Sequence, residues 1–194
     1  MSGEDRDLKT CILFEATRLF VGRGYNAVSM REIAEVCGVS KAALYYHFKD
    51  KENLFVALLE DYLDDIQAVI QRERLPGGTI RQQLGRVVTA IFEQKPEKRA
   101  IIRLATQEMS NLGLEARAAF GTVYYDKFIG QIEAMLAEGV TSGELQPMDT
   151  VIATWVLLGM MYPFFYPGHN RVVGETELAV QLILSIFFDG AVQR

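Results

Sequence analysis

The chain has 194 residues and a mass of 21.8 kDa, enough for one large domain or two small domains that share a core. Apolar residues make up 49% and charged residues 23% of the chain, a balance that excludes disordered, collagen-like and mucin-like proteins. Two cysteines, Cys11 and Cys37, are too few for a disulfide scaffold, and the N-terminus lacks the pattern of a secretory signal. We therefore expect a cytoplasmic protein.

The formal net charge of −5 is carried by residues 56–194, because acidic and basic residues balance in residues 1–55. An acidic body does not coat nucleic acid nonspecifically, so any DNA binding must be confined to a local patch. The stretch from residue 37 to residue 49 contains Lys41, His47 and Lys49 and no acidic residue. This stretch is the candidate patch.

Apolar residues recur with a period of 3.6 residues along the chain, which predicts an all-α fold. The first helix is predicted to end in a left-handed turn at Gly24. Its expected buried face is formed by Leu8, Cys11, Ile12, Ala16, Leu19 and Phe20.

Two short helices are predicted next. Ser29 and Glu32 have the capping-box spacing that starts the first, and Ser40 caps the second, which ends near Phe48. Two short helices joined by a glycine turn after a longer helix form a helix-turn-helix, whose second short helix can enter the major groove of DNA.

A long helix capped by Asp50 follows, with apolar residues at every fourth position up to Ile66 and a stop at Pro76. Further breaks divide the remainder into about five helices, giving about nine in total. We place a domain boundary on the long helix, with residues 1–52 as the helix-turn-helix domain and residues 53–194 as a helical body. The later breaks lie at Lys95–Pro96, Asn111–Gly113, Ser142–Gly143, Pro147 and Tyr166–Gly174.

Residues 150–170 contain no charged residue. A membrane-spanning helix needs about 20 continuous apolar residues, whereas Pro163 and Pro167 interrupt this run. We expect a helix buried inside a core or between subunits, and no contact with a membrane.

The second short helix has two different faces. Leu44 and Phe48 are four residues apart and are predicted to share a buried face with Ile33, Ala34 and Val39. This arrangement leaves Lys41, Ala42, Tyr45 and Tyr46 in solvent. Two adjacent exposed tyrosines are unusual without a binding partner. Against DNA, small residues allow close approach, while lysine and tyrosine reach base edges and phosphates.

Residues 8–55 resemble the DNA-binding domain of the TetR family of transcriptional regulators. The stretch SMREIAEVCGVSKAALYYHFKDKENLF has the family's order of a Ser or Thr cap, an Ile-Ala pair, Gly-Val-Ser, Leu-Tyr, an aromatic or His pair, and Lys-Glu before a Leu. The resemblance implies that the partner is a double-stranded DNA operator. It also implies a C-terminal helical domain that dimerises and binds a small-molecule effector.

The resemblance also implies which residues meet DNA. The positions expected to contact phosphates or to fix the register are Ser29, Lys41, Tyr45, His47 and Lys51. Those expected to meet base edges are Arg31, Lys41, Ala42 and Tyr46. Ser40, which caps the second short helix, is also expected to contact DNA. The chain departs from the family at Ala43, where a hydroxyl residue is frequent, so one phosphate contact is absent. The alternatives are that Tyr45 and His47 only pack the end of the helix, and that Arg31 and Lys51 are only solvated charges.

The resemblance places the homodimer interface on the last two long helices. Residues 151–165 and 178–188 are apolar on more than one face, as expected for helices that pack on their own core and on a partner. A core within one subunit is the alternative.

Residues 103–155 supply the candidate effector pocket. The alternative is that these side chains are ordinary core. Apolar lining is expected from Met109, Tyr124, Tyr125, Phe128 and Trp155, and polar orientation from Arg103, Gln107 and Glu108.

These features together predict a repressor that a small, largely apolar effector releases from its operator. The alternative is a DNA-binding architectural or partner-recruiting dimer without an effector. We expect that the protein is not an enzyme and binds no metal or cofactor, because His47 and His169 lack metal-ligand spacing and the sequence has no phosphate-binding loop.

Overall fold

The computed structural model describes residues 3–74, 77–165 and 176–191. All regular secondary structure in these ranges is helical, as predicted. A π-helical segment, Tyr125–Ile129, joins the seventh helix to the eighth, so the described ranges hold nine continuous helical segments, in agreement with the predicted number. The helices are α1 (Gly3–Arg23), α2 (Met30–Val36), α3 (Lys41–His47), α4 (Lys51–Glu73), α5 (Ile80–Phe92), α6 (Pro96–Glu108), α7 (Leu114–Tyr124), α8 (Gly130–Thr141), α9 (Thr150–Met161) and α10 (Thr176–Ala191).

Most of the predicted breaks separate helices in the structure. The predicted breaks at Pro76 and at residues 166–174 lie outside the described ranges. No helix in the described ranges has both the length and the apolar character needed to cross a bilayer.

The described chain divides into two compact units. The first contains residues 1–62 and 96–123, so it joins the helix-turn-helix to α6 and most of α7. The second contains residues 63–95 and 124–194, and α4 runs through both. The predicted boundary between residues 52 and 53 separates DNA-binding from effector-binding function, and it stays a prediction.

In the first unit, α1 packs on α2 and α6, and α2 packs on α3. The rings of Phe20, Tyr25 and Phe55 form a cluster with centroids 4.9–5.6 Å apart, which anchors the chain after α1 to the start of α4. One expectation about α1 was wrong: Cys11 is exposed, and Leu13 is buried in its place. Residues 11 and 13 lie on opposite sides of the buried Ile12 around the helix, so the buried stripe is rotated toward Leu13 from the predicted one.

The local signals of the helix-turn-helix act as predicted. The N–H of Glu32 donates to Ser29 Oγ at 3.3 Å, and the N–H of Ser29 donates to Glu32 Oε2 at 2.8 Å, which completes the capping box. Gly38 has a φ of +66°, the left-handed conformation that ends α2. Ser40 Oγ then accepts the N–H of Ala43 at 3.1 Å and starts α3.

In the second unit, α5 packs on α8 and α10, and α9 packs on α8 and α10. The buried face of α5 includes Leu84 and Val87, both fully inaccessible to solvent. The carboxylate of Glu144 accepts the first N–H groups of α5, from Ile80 at 2.8 Å and Arg81 at 3.2 Å. This contact ties the loop after α8 to the start of α5.

Candidate DNA-binding interface and effector site

The recognition helix α3 exposes the face that the sequence predicted. Leu44 and Phe48 are 0% and 1% exposed, whereas Tyr46 is 81% exposed and Tyr45 is 42% exposed. Lys41 and Ala42 are also exposed. The buried pair fixes the helix on the core, so the opposite face presents phenols, a lysine and a small residue to solvent.

Contacts along α3 order this exposed face. The ammonium of Lys41 lies 5.7 Å from the ring centroid of Tyr45, and the ring of His47 meets the ring of Tyr46 edge-on at 5.3 Å. The hydroxyls of Ser29 and Ser40 serve as helix caps and lie in exposed residues. The O–H of Ser29 donates to Glu32 Oε2 at 2.9 Å and must leave that carboxylate to meet a phosphate, whereas Ser40 accepts the N–H of Ala43 and can direct its O–H to a phosphate.

Arg31 is exposed but paired. Its guanidinium donates to Glu35 one turn later in α2, at 2.8 Å, and both side chains are largely in solvent. Exposed pairs of this kind contribute little to stability, because solvent screens the two charges. Arg31 can therefore exchange Glu35 for a nucleic-acid acceptor at small cost.

Lys51 has a different environment from the predicted phosphate contact. Its ammonium donates to the carbonyls of Tyr25 and Val28, each at 3.0 Å, and lies 4.2 Å from the Tyr25 ring centroid. Burial lowers the pKa of Lys51 from its ordinary value. This geometry favours a structural clamp between α4 and the turn after α1. No local sequence signal indicates the clamp, because the acceptors are carbonyls more than 20 residues away.

Glu108, predicted to orient an effector, contacts the helix-turn-helix. One carboxylate oxygen accepts the N–H of Tyr25 at 3.3 Å, and the other accepts the side-chain amide of Asn111 at 2.5 Å. Nearby, the carboxylate of Glu52 in α4 accepts the N–H of Gly113 between α6 and α7. We call these two contacts the α6–α7 latch. The latch joins the end of α6 to the turn after α1 and joins the segment before α7 to the start of α4.

The other predicted effector residues are divided between the two units. Arg103, Gln107 and Met109 belong to the first unit, with Gln107 exposed and the other two partly buried. In the second unit Tyr125 is 46% exposed and Trp155 is 50% exposed. The hydroxyl of Tyr125 donates to Glu133 at 2.6 Å.

Tyr124 and Phe128 belong to an aromatic cluster of the second unit. Their ring centroids are 5.7 Å apart, and the hydroxyls of Tyr124 and Tyr162 are hydrogen-bonded to each other. Tyr162 also meets Phe165, which stacks on Phe92. Phe128 lies in the π-helical segment and Tyr124 directly precedes it, and such irregularities are frequent at functional sites. The sequence-based candidate set contains neither Phe92, which precedes the break at Lys95–Pro96, nor Tyr162, which follows Trp155 by seven positions and stands before Pro163.

A cavity of about 980 Å³ lies in the second unit along α4 and α5. Its lining is mixed in charge and includes none of the predicted effector residues. The lining residues are Val69, Arg72, Glu73, Gln82, Gly85, Arg86, Thr89, Ala90, Glu93, Gln94 and Lys95.

Helices α9 and α10 expose large apolar side chains. On α9 these recur at helical spacing, and on α10 they recur every fourth residue. Within one chain, the α9 segment is therefore not buried on all sides. We call this exposed set the α9–α10 face: Val151, Ile152, Trp155, Val156, Leu178, Leu182 and Ile186, which are 45–62% exposed.

Known proteins resemble this chain along its length. Residues 12–58 match the family model "Bacterial regulatory proteins, tetR family". The regulator QacR of Staphylococcus aureus is 30% identical over 187 residues, which cover 95% of this chain and 98% of QacR. The repressor KstR2 of Rhodococcus jostii is 27% identical over 193 residues, which cover 94% of this chain and 90% of KstR2.

A solved structure of a tetR-family regulatory protein from Rhodococcus RHA1 has a TM-score of 0.76 and 24% identity, and the match covers 96% of this chain and 98% of that one. This likeness supports the fold, while the QacR match adds 30% identity along nearly the whole of both chains. The family model covers the helix-turn-helix whose recognition face is exposed. The chain therefore belongs to the TetR family of bacterial DNA-binding transcriptional regulators.

Proposed function

We propose that this regulator is a homodimeric repressor that a small, largely apolar effector releases from its operator. The observation that carries the proposal is the asymmetry of α3. Its buried Leu44 fixes the helix, and the highly exposed Tyr46 lies on the face that remains free for DNA.

In this proposal α3 enters the major groove. Ala42 allows the helix to approach the bases, and Lys41 and Tyr46 reach base edges. Ser29, Ser40, Tyr45 and His47 contact phosphates and fix the register, while Arg31 exchanges Glu35 for the DNA. Lys51 is left out of this contact set, because its ammonium holds two carbonyls.

The dimer is supported by the α9–α10 face. Seven large apolar side chains exposed at helical spacing on two neighbouring helices form the kind of patch that protein interfaces cover. Gly159 is exposed on α9 and carries no side chain that would hold two helices apart. A two-fold dimer presents two α3 helices to half-sites about one turn of DNA, or a multiple of it, apart.

Effector control is supported by α4 and the latch. Helix α4 is continuous from the helix-turn-helix into the second unit, and Glu52 and Glu108 fasten the end of α6 to the DNA-binding helices. An effector that favours a different position of α4 or α6 would change the direction of α3. It releases DNA only if it binds the two conformations unequally.

The aromatic cluster supports the proposed effector class. It consists of packed aromatic rings, and the hydrogen-bonded hydroxyls of Tyr124 and Tyr162 are its polar groups. A largely apolar molecule with one or two hydrogen-bonding groups fits this chemistry. Arg103, Gln107, Met109, Tyr125 and Trp155 remain predicted contacts, and Trp155 belongs equally to the α9–α10 face.

A fluorescence anisotropy titration of the dimer with the duplex upstream of its own gene tests DNA binding. We expect Lys41→Ala combined with Tyr46→Phe to weaken binding, with Leu114→Ala on exposed α7 as the matched control. Unchanged affinity of the double variant would contradict the proposed reading face.

The alternative function is an architectural or partner-recruiting dimer without an effector. A thermal-shift screen with apolar and cationic small molecules separates the two. Compounds that stabilise the protein and lower its duplex affinity support the sensor, whereas a library without such a compound favours the recruiter.

A further inference from the structure

The cavity along α4 and α5 offers chemistry that the proposed function does not use. We call it the α4–α5 groove; the residues that line it lie between Val69 and Lys95 and belong to the second unit. Its volume of about 980 Å³ is in the range of small-molecule sites. Three cationic side chains, two anionic side chains and no aromatic ring are found among the described residues of its lining. A ligand of this groove is therefore polar and differs in class from the proposed apolar effector.

The last residue of α4, Glu73, orients two guanidinium groups of the groove. Nε of Arg72 donates to Glu73 Oε1 at 2.8 Å, and Nε of Arg86 donates to the backbone carbonyl of Glu73 at 3.0 Å. Within the described ranges, neither arginine has a second hydrogen-bond acceptor, so the Nη amino groups of both remain for an acceptor in the groove. A guanidinium presents these groups as a fork that fits the oxygens of a carboxylate or a phosphate.

Small side chains of α5 leave room beside the arginines. Gly85 and Ala90 contribute no bulk to the lining, and Thr89 adds a hydroxyl group. The lining residues of α5 recur every three or four positions, so they share one face of the helix. Arg86 and Glu93 on this face are about two helical turns apart. The groove is therefore long enough for an extended ligand of several carbon atoms.

The other end of the groove suits hydroxyl groups. The side-chain oxygen of Gln94 is buried and accepts no hydrogen bond from the described residues. Gln94 is partly exposed and lines the groove, so a half-turn of its amide brings that oxygen or the NH2 group to a ligand. Its sequence neighbours in the lining are Glu93, which can accept hydrogen bonds, and Lys95, which can donate them. A hydroxyl group both donates and accepts, so it satisfies these side chains without bringing a charge.

We propose that the α4–α5 groove binds a small polyhydroxylated anion, whose carboxylate or phosphate group lies between Arg72 and Arg86 and whose hydroxyl groups face Gln94. The guanidinium contacts fix the charged end, and the hydroxyl contacts select a polyol chain over a simple acid. A ligand held in this way joins the C-terminal end of α4 to α5 within the second unit. This second ligand site goes beyond the proposed regulator function and does not depend on it.

A nuclear magnetic resonance titration of the full-length protein with three related compounds tests the proposal. Ribonate carries a carboxylate, ribitol 5-phosphate carries a phosphate, and ribitol is the neutral control. We expect the backbone N–H signals of residues 82–95 to shift with the anions and to stay in place with ribitol. Shifts caused by both anions support the shared anionic chemistry, and shifts caused by only one of them assign the ligand to the carboxylates or to the phosphates.

Two variants weaken the arginine end of the groove separately. Arg72→Met and Arg86→Met should each lower the affinity for the anions by about tenfold or more, because charge-assisted contacts are lost. The side chain of Arg72 is 67% exposed, so its variant keeps the fold even if loss of the Arg86 bond to α4 alters stability. Arg18→Met is the matched control, since Arg18 is an exposed arginine of α1 that pairs with Glu15 and lies outside the groove.

Three results would overturn the proposal. They are the absence of shifts with either anion at about 10 mM, equal shifts with ribitol, and an affinity of both groove variants equal to that of the parent. The titrations contain no DNA and no apolar compound, so their failure is distinct from a failure of the regulator function.

Discussion

The carboxylate of Glu108 accepts a hydrogen bond from the backbone N–H of Tyr25 at 3.3 Å, although 83 positions separate the two residues. The carbonyl of Tyr25 also accepts a hydrogen bond from the ammonium of Lys51, which lies over the Tyr25 ring. One residue of the turn between α1 and α2 therefore contacts both α4 and α6. Burial, followed by the carboxylates of Glu52, Asp50 and Glu108, raises the pKa of Tyr25.

Replacing Glu108 tests the latch. We expect Glu108→Ala to lower the free energy of unfolding by about 1 kcal/mol, because the N–H of Tyr25 loses its acceptor. Glu108→Gln keeps an oxygen in that position and should cost less. Urea unfolding followed by circular dichroism measures both variants, and equal losses for the two would contradict the contact.

Lys51 and Lys49 make a matched pair of lysines, one clamped and one exposed. We expect Lys51→Met to lower the free energy of unfolding by about 1–2 kcal/mol, because two carbonyl contacts and the ring contact are lost. Lys49→Met should leave stability nearly unchanged. Thermal and urea unfolding of both variants measures the difference, and equal stability of the two would refute the clamp.

Substitutions on α3 separate the contribution of base contacts to DNA affinity from the contribution of charge. We expect Tyr46→Ala to weaken binding to the specific duplex by about tenfold, with no loss of stability because the side chain is 81% exposed. Lys41→Ala should lower the slope of log affinity against log salt by about 1. Anisotropy titrations at several salt concentrations, with a scrambled duplex as control, measure both effects. A Tyr46→Ala protein that binds like the parent would argue against the reading face.

We expect the chain to dimerise through the α9–α10 face, and we expect a single charge introduced into that face to disrupt the dimer. Trp155→Asp places a carboxylate in the middle of the exposed apolar set, so we expect the protein to elute as a monomer. Leu114→Asp is the control, since Leu114 is 82% exposed on α7 and outside that set. Light scattering after size exclusion gives the mass of each variant. Dimeric Trp155→Asp protein would point to a different interface.

Acid should loosen the start of α2. Hydrogen bonds from the backbone and side chain of Ser29, and then from Arg23, hold the pKa of Glu32 below its ordinary value. Because the unfolded chain takes up this proton at a higher pH, the stabilisation is complete above about pH 5 and is lost as the pH falls through the folded-state pKa. We expect the free energy of unfolding of Glu32→Gln to decrease less than that of the parent between about pH 5 and pH 3. Urea unfolding at several pH values measures the fall in both proteins, and an equally steep fall in Glu32→Gln would contradict the prediction.

Local chemistry made much of the DNA-binding domain readable from the sequence. The capping box at Ser29, the left-handed turn at Gly38 and the apolar spacing of Leu44 and Phe48 act over four residues or fewer, so the printed order of residues predicts them. The two faces of α3 follow directly from that order. The family likeness then identified the chain as a DNA-binding transcriptional regulator, and the role of the exposed face of α3 stays a prediction.

Tertiary packing decided what the long-range partners are. No pattern in the sequence pairs Lys51 with the carbonyl of Val28 or Glu108 with Tyr25, because each pair is distant in the chain and meets only after the helices pack. Side-chain spacing determines which face of a helix is apolar. Only the packed structure determines which atom of another helix lies opposite each polar group, and that choice distinguishes a residue free to meet DNA from one committed to holding the fold.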